Sequence, residues 1–141
     1  MNLRHAFSAL MAATMMAACS SPTSPNNIRA HEAVWKSHAI VNYDYTYQFD
    51  GGNSAGPRGP VRIQVRQDTV RIVMQLSDSA VLSPTYWPTV NALFTNALSA
   101  AADGSLADIT FDPAFDYPTS IRYVPMPDRP TGSTARDLEA K

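Results

Sequence analysis

Histidine, aspartate, tyrosine and a single cysteine are the side chains here with chemistry to offer, and their spacing limits what each can do. His31-Glu32-Ala33-Val34-Trp35 begins like a zinc-protease helix, in which a second histidine four residues on meets the same metal. Trp35 stands at that place instead. His31 and His38 are two helical turns apart, about 10 Å, too far to chelate one ion together. Asp112 and Asp116 share one loop and can be read as an acid–base pair or as calcium ligands. Their spacing lacks the dense oxygen repeat of a calcium loop, and aspartate is a common turn former. The glycine-rich run 51–60 lacks the Gly-Lys-Ser/Thr ending of a phosphate loop and does not lead into a helix. No Gly-x-Ser-x-Gly elbow is present to activate a serine. The expectation is a protein with no catalytic residues, no metal and no cofactor.

The tyrosines are more informative. Tyr43, Tyr45 and Tyr47 alternate with Asp44, Thr46 and Gln48, and Phe49 continues their row, so four aromatic rings share one face of a strand. One reading is core, with the rings packed under a helix and the hydroxyls reaching the rim. The other is a binding face, since tyrosine supplies large contact area at low entropic cost. Tyr86 and Trp87, on an irregular segment, are the aromatics expected to be exposed. The candidate binding residues are therefore Tyr43, Tyr45, Tyr47, Tyr86 and Trp87.

Cys19 closes an apolar stretch, residues 6–18, that follows the basic start Met1-Asn2-Leu3-Arg4-His5. Basic start, short apolar core and small exit residues mark an export signal. Thirteen helical residues rise about 20 Å, short of the roughly 30 Å hydrocarbon core. Met16-Ala17-Ala18-Cys19 resembles the bacterial lipoprotein box, in which cleavage leaves a cysteine that carries lipid. Ser20, rather than aspartate, resembles outer-membrane sorting in a two-membrane bacterium. Lipidation of Cys19 leaves no thiol for a disulfide, so an exported domain must rest on its apolar core. The chain has 11 basic and 12 acidic side chains and a formal net charge of −1. It lacks the dense basic stripe that nucleic acid demands.

These residues need a frame. Residues 1–18 read as signal and 19–27, with Pro22 and Pro25, as a tether. Residues 28–124 read as one domain and 125–141 as a proline-rich, mostly irregular tail. Asn27 is the expected cap of a first helix over 28–37, with Ile28, Val34 and Trp35 facing a core and Ala30 and Ala33 assisting. The tyrosine strand follows. Val61, Ile63 and Val65, then Val70, Ile72, Met74 and Leu76, form two apolar faces joined tightly at Gln67-Asp68, an antiparallel hairpin. Residues 77–88 look irregular. Thr89 caps a second helix whose Val90, Leu93, Phe94, Ala97, Leu98 and Ala101 form one stripe, and Asp103-Gly104 ends it. Ala107, Ile109 and Phe111 predict a fourth strand, and Ile121 and Tyr123 a fifth. The expected class is α+β, an antiparallel sheet of about five strands covered by an amphipathic helix, in the order α-β-β-β-α-β-β.

Several segments in order carry a family likeness: Trp35, Asn42-Tyr43-Asp44-Tyr45-Thr46-Tyr47 and Gly59-Pro60-Val61-Arg62-Ile63-Gln64-Val65, then Pro88-Thr89-Val90-Asn91-Ala92-Leu93-Phe94, Phe111-Asp112-Pro113 and Tyr117-Pro118-Thr119. Over residues 31–124 the chain resembles bacterial secreted lipoproteins catalogued as domain of unknown function 6174. That resemblance implies an anchored α+β domain and no reaction. Relatives often carry cysteines after the tyrosine strand, where residues 49–59 here have none, and glycine where Asp116 stands. The functional expectation is a non-enzymatic envelope lipoprotein, held on the membrane by lipid and binding an envelope protein or component. The alternative is a small-ligand carrier or sensor with a Tyr-lined pocket between sheet and helix.

Overall fold

The computed structural model describes residues 21–50, 59–125 and 131–141. Cys19, the expected signal and most of the 51–60 loop lie outside the described residues. The elements run α1 (Pro25–Ser37), β1 (Tyr43–Asp50), β2 (Val61–Arg66), β3 (Thr69–Gln75), β4 (Val81–Leu82), α2 (Val90–Asp103), β5 (Leu106–Phe111), β6 (Pro118–Tyr123) and β7 (Gly132–Ala140). All pairings are antiparallel, in the order β4-β3-β2-β1-β7-β6-β5. The α+β class stands. Among the described residues the five expected strands become seven, and the order becomes α-β-β-β-β-α-β-β-β.

Two strands account for the difference. β4 has only two residues, too few to show an alternation. β7 overturns the irregular tail: Gly132–Ala140 sits between β1 and β6 in the middle of the sheet. Its inward side chains, Ser133 and Ala135, are buried but small and barely apolar, so the run reads as polar chain. Neighbours on both sides satisfy its backbone and hold it there.

Helix α1 starts earlier than expected. The Ser24 side chain accepts the Asn27 N–H at 3.2 Å and Pro25 takes the first helical position, where its missing N–H costs nothing. Asn27 thus lies inside the helix. Ile28, His31 and Trp35 share its inward face, at i, i+3 and i+7. Val34, Ala30 and Ala33 point outward and are exposed, contrary to expectation. Helix α2 follows its predicted stripe: Val90, Leu93, Phe94, Ala97 and Ala100 are buried, and Leu98 and Ala101 are partly buried. Thr89 caps it, its hydroxyl accepting the Ala92 N–H at 3.2 Å. Gly104 ends it in the left-handed conformation, φ 77°, which glycine adopts without a Cβ clash.

The β2–β3 hairpin turns at Gln67 and Asp68, both at positive φ (51° and 53°), the pattern of a two-residue primed turn. β3 does not bury the expected face. Gln64 opposes Ile72 but Val65 opposes Val70, so Arg71 is an extra residue in the strand. A bulge reverses side-chain parity. Val70 and Val73 therefore face inward, while Ile72 and Leu76 are left exposed. A register shift between Leu106 and Asp108 likewise leaves Ala107 exposed and Leu106 buried.

Both helices pack against one face of the sheet. On the opposite face Arg62 lies flat, donating to Asp137 O at 2.7 Å and to Thr46 Oγ1 at 3.3 Å and pairing with Glu139 at 3.0 Å. That blanket leaves Thr46 only 5% exposed, although it points away from the helices.

Candidate functional site

The tyrosine row divides into two parts. Tyr43 and Tyr45 are fully buried, and both hydroxyls are spent on the start of α2. The Tyr43 hydroxyl accepts the Val90 N–H at 2.8 Å, one of the N–H groups that a helix start leaves unpaired. The Tyr45 hydroxyl donates to the Pro88 carbonyl. Trp35 packs edge-on against Tyr43, centroids 5.6 Å apart, and its indole N–H donates to Asn91 Oδ1 at 3.0 Å. This part of the row is core. Burial pushes the Tyr43 and Tyr45 hydroxyls well above the ordinary tyrosine range, because phenolate is costly away from water.

The other end of the row opens to solvent. Tyr47 is buried, and burial raises its hydroxyl too, with the Ser133 hydrogen bond opposing that rise. Beyond it Phe49 is 43% exposed. The two rings meet edge-on at 5.0 Å. Trp87 completes the cluster, 6.2 Å from Tyr47 at 89° and 6.1 Å from Phe49 at 40°. Tyr86, next in sequence, is 91% exposed. The irregular segment before α2 thus carries the two expected aromatics back to the row, Tyr86 exposed as expected but Trp87 half-buried against the core, contrary to expectation.

Around Tyr47 lies a cavity of about 190 Å³. β1 contributes Tyr47 and Phe49, and the segment before α2 contributes Tyr86 and Pro88. Leu93 and Asn96 come from α2, Tyr123 from β6, and Gly132 and Ser133 from β7. None of these side chains is charged. On the other side of Trp87 a shallower depression of about 360 Å³ is bordered by Asp68, Thr69 and Ala92. Of the expected binding residues, Tyr47 and Tyr86 line the cavity, Trp87 buttresses it, and Tyr43 and Tyr45 do not reach it. Gly132 and Ser133 escaped the sequence reading because they lie on the unrecognised β7. Asn96 sits on the outward side of α2, with nothing in the sequence to distinguish it from Thr95.

The paired aspartates have separate duties. Asp112 Oδ1 accepts the Ala114 and Phe115 N–H groups at 2.9 and 2.8 Å, building the turn. Asp116 adopts φ 60°, a conformation that favours glycine. Its carboxylate meets His31 Nδ1 at 2.6 Å, and the imidazole stacks on Phe111 at 3.8 Å and 11°. His31 therefore fastens α1 to the β5–β6 turn. His38 lies edge-on to Phe115 at 5.5 Å. Among the described residues no three His, Cys, Asp or Glu side chains gather around a common point, and no helix is long and apolar enough to cross a membrane.

Residues 27–125 match a family of unknown function, DUF6174, and the chain belongs to it. No curated protein and no solved structure matches the chain.

Proposed function

We propose that this member of the family is a bacterial envelope lipoprotein, tethered through a lipidated Cys19, that works as a non-enzymatic binding module. Its binding surface is the solvent end of the tyrosine row: Tyr47, Phe49, Tyr86 and Trp87 around the 190 Å³ cavity. The observation that carries the reading is Tyr86, an aromatic side chain 91% exposed at the mouth of an aromatic-walled recess with no charged side chain among the described residues. Exposed aromatic area next to a recess is the pattern of a recognition surface. The apolar stretch, the small residues before Cys19 and the closeness in sequence of Cys19 to the Ser24 cap support the tether. The assigned duties of Asp112 and Asp116 support a role without catalysis.

The hydroxyls of Tyr43 and Tyr45 are tied to Val90 and Pro88 within the core, which supports placing any Tyr-lined pocket at the other end of the row. A carrier role therefore contracts to the Tyr47 end.

Photo-crosslinking in cells from a reactive residue in place of Tyr86, beside a Cys19→Ala control, tests the reading. An envelope component trapped from position 86 only in the lipidated chain is the expected result. Adducts no different from those made at exposed Ala102 would overturn it.

A further inference from the structure

The cavity at the end of the tyrosine row combines three properties that together select a ligand class. Its volume, about 190 Å³, is below the roughly 300–1,000 Å³ of drug-sized ligand pockets. It takes one ring, not a cofactor. Among the described residues its lining holds no Asp, Glu, Lys, Arg or His. A charged ligand group seated there would lose water and gain no ion partner, which is costly. Its lining is mixed: Phe49, Leu93 and Pro88 are apolar, whereas Tyr86, Tyr123 and Asn96 bring hydroxyl or amide groups.

We infer that this cavity seats one uncharged pyranose ring of an envelope glycan, its C–H face on Phe49 and Leu93 and its hydroxyls toward Asn96 and the tyrosines. This deepens the binding role proposed above and rests on it. A pyranose has an apolar face and a rim of hydroxyls, so it covers the apolar lining residues while pairing the polar ones. A proline or phenyl ring fills the same space but leaves those groups facing a partner with nothing to offer. Polar groups cut off from water and left unpaired weaken binding. The site also lies at the strand ends of the sheet's interior, among β1, β6, β7 and α2, where an extended peptide has no free strand edge to pair with. Peptide recognition by strand addition is therefore foreign to it.

Trp87 touches both Tyr47 and Phe49 and provides the readout. The lipidated chain in detergent is titrated with the soluble β-1,4-linked tetramer of N-acetylglucosamine while tryptophan fluorescence is followed. A saturable change is expected, abolished in Trp87→Phe, which assigns the signal. Tyr86→Ala and Asn96→Ala, both at exposed positions, should each weaken binding about tenfold with unchanged circular dichroism. The inference is overturned if the tetramer gives no saturable change. It is equally overturned if binding survives Tyr86→Ala and Asn96→Ala undiminished, or if a proline decamer gives the change and the sugar does not. A protein crosslinked in cells from position 86, with no sugar response, would keep the binding role and remove the glycan.

Discussion

Gly132 shows how much one hydrogen atom in place of a side chain can matter. A Cβ built there would stand 2.5 Å from the Ile121 carbonyl oxygen, a backbone atom that cannot swing aside. Gly132→Ala should therefore cost about 1–3 kcal/mol, seen as a lower midpoint in urea denaturation. Ala39 has the opposite problem. It follows α1 at φ 52°, where glycine rests without strain, so Ala39→Gly should raise stability by about 0.5 kcal/mol in the same measurement. Asp116 shares that backbone region but has compensation, because its carboxylate reaches His31. The family resemblance pointed to position 116, where it implies glycine and the chain has aspartate. It could not expose the partner, which lies 85 residues away and meets Asp116 only once the sheet has formed.

Among the elements, β1 was fully legible and β3 was not, and the reason is periodicity. Strict alternation in β1 names its inner face directly, whereas the extra residue at Arg71 shifts β3 by one and inverts any face assigned by counting. A bulge has no residue signature of its own, and arginine least of all. The tyrosine strand also fixes how the protein responds to alkali. Tyr43, Tyr45 and Tyr47 have hydroxyls raised above their unfolded value, with burial the leading cause. The folded state thus holds its proton more tightly than the unfolded one. That contribution to stability is complete below about pH 10, the unfolded value, and is lost as pH climbs beyond it. Phenolate absorbance of these three should rise together with the loss of far-ultraviolet circular dichroism, not ahead of it. Tyr45→Phe, which leaves the Pro88 carbonyl without its donor, should cost about 1–2 kcal/mol and loosen the start of α2.

For the whole molecule, the class and the covering helix could be read from pattern, and the sheet's midline could not. The family match ends at residue 125, yet β7 joins β1 to β6 and supplies Gly132 and Ser133 to the cavity. Its sequence carries charge and small residues because its faces are filled by neighbours' side chains, Arg62 on one side and Tyr47 on the other. Ending the chain at residue 124 should therefore remove more than a tail. Four strands and two strands would be left with no partner between them, and the expected result is loss of cooperative thermal unfolding by circular dichroism. A chain that still melted cooperatively would show the two parts to be independent. The central place of β7 also sets a clock. Tyr43 pairs with Ala140, so the pairing that closes the sheet joins its first strand to its last in chain order. Contacts that span so much chain form slowly, since loop closure must precede any gain. Until residue 140 has joined the sheet, β1 has one edge open and the tyrosine row lacks the strand beside it.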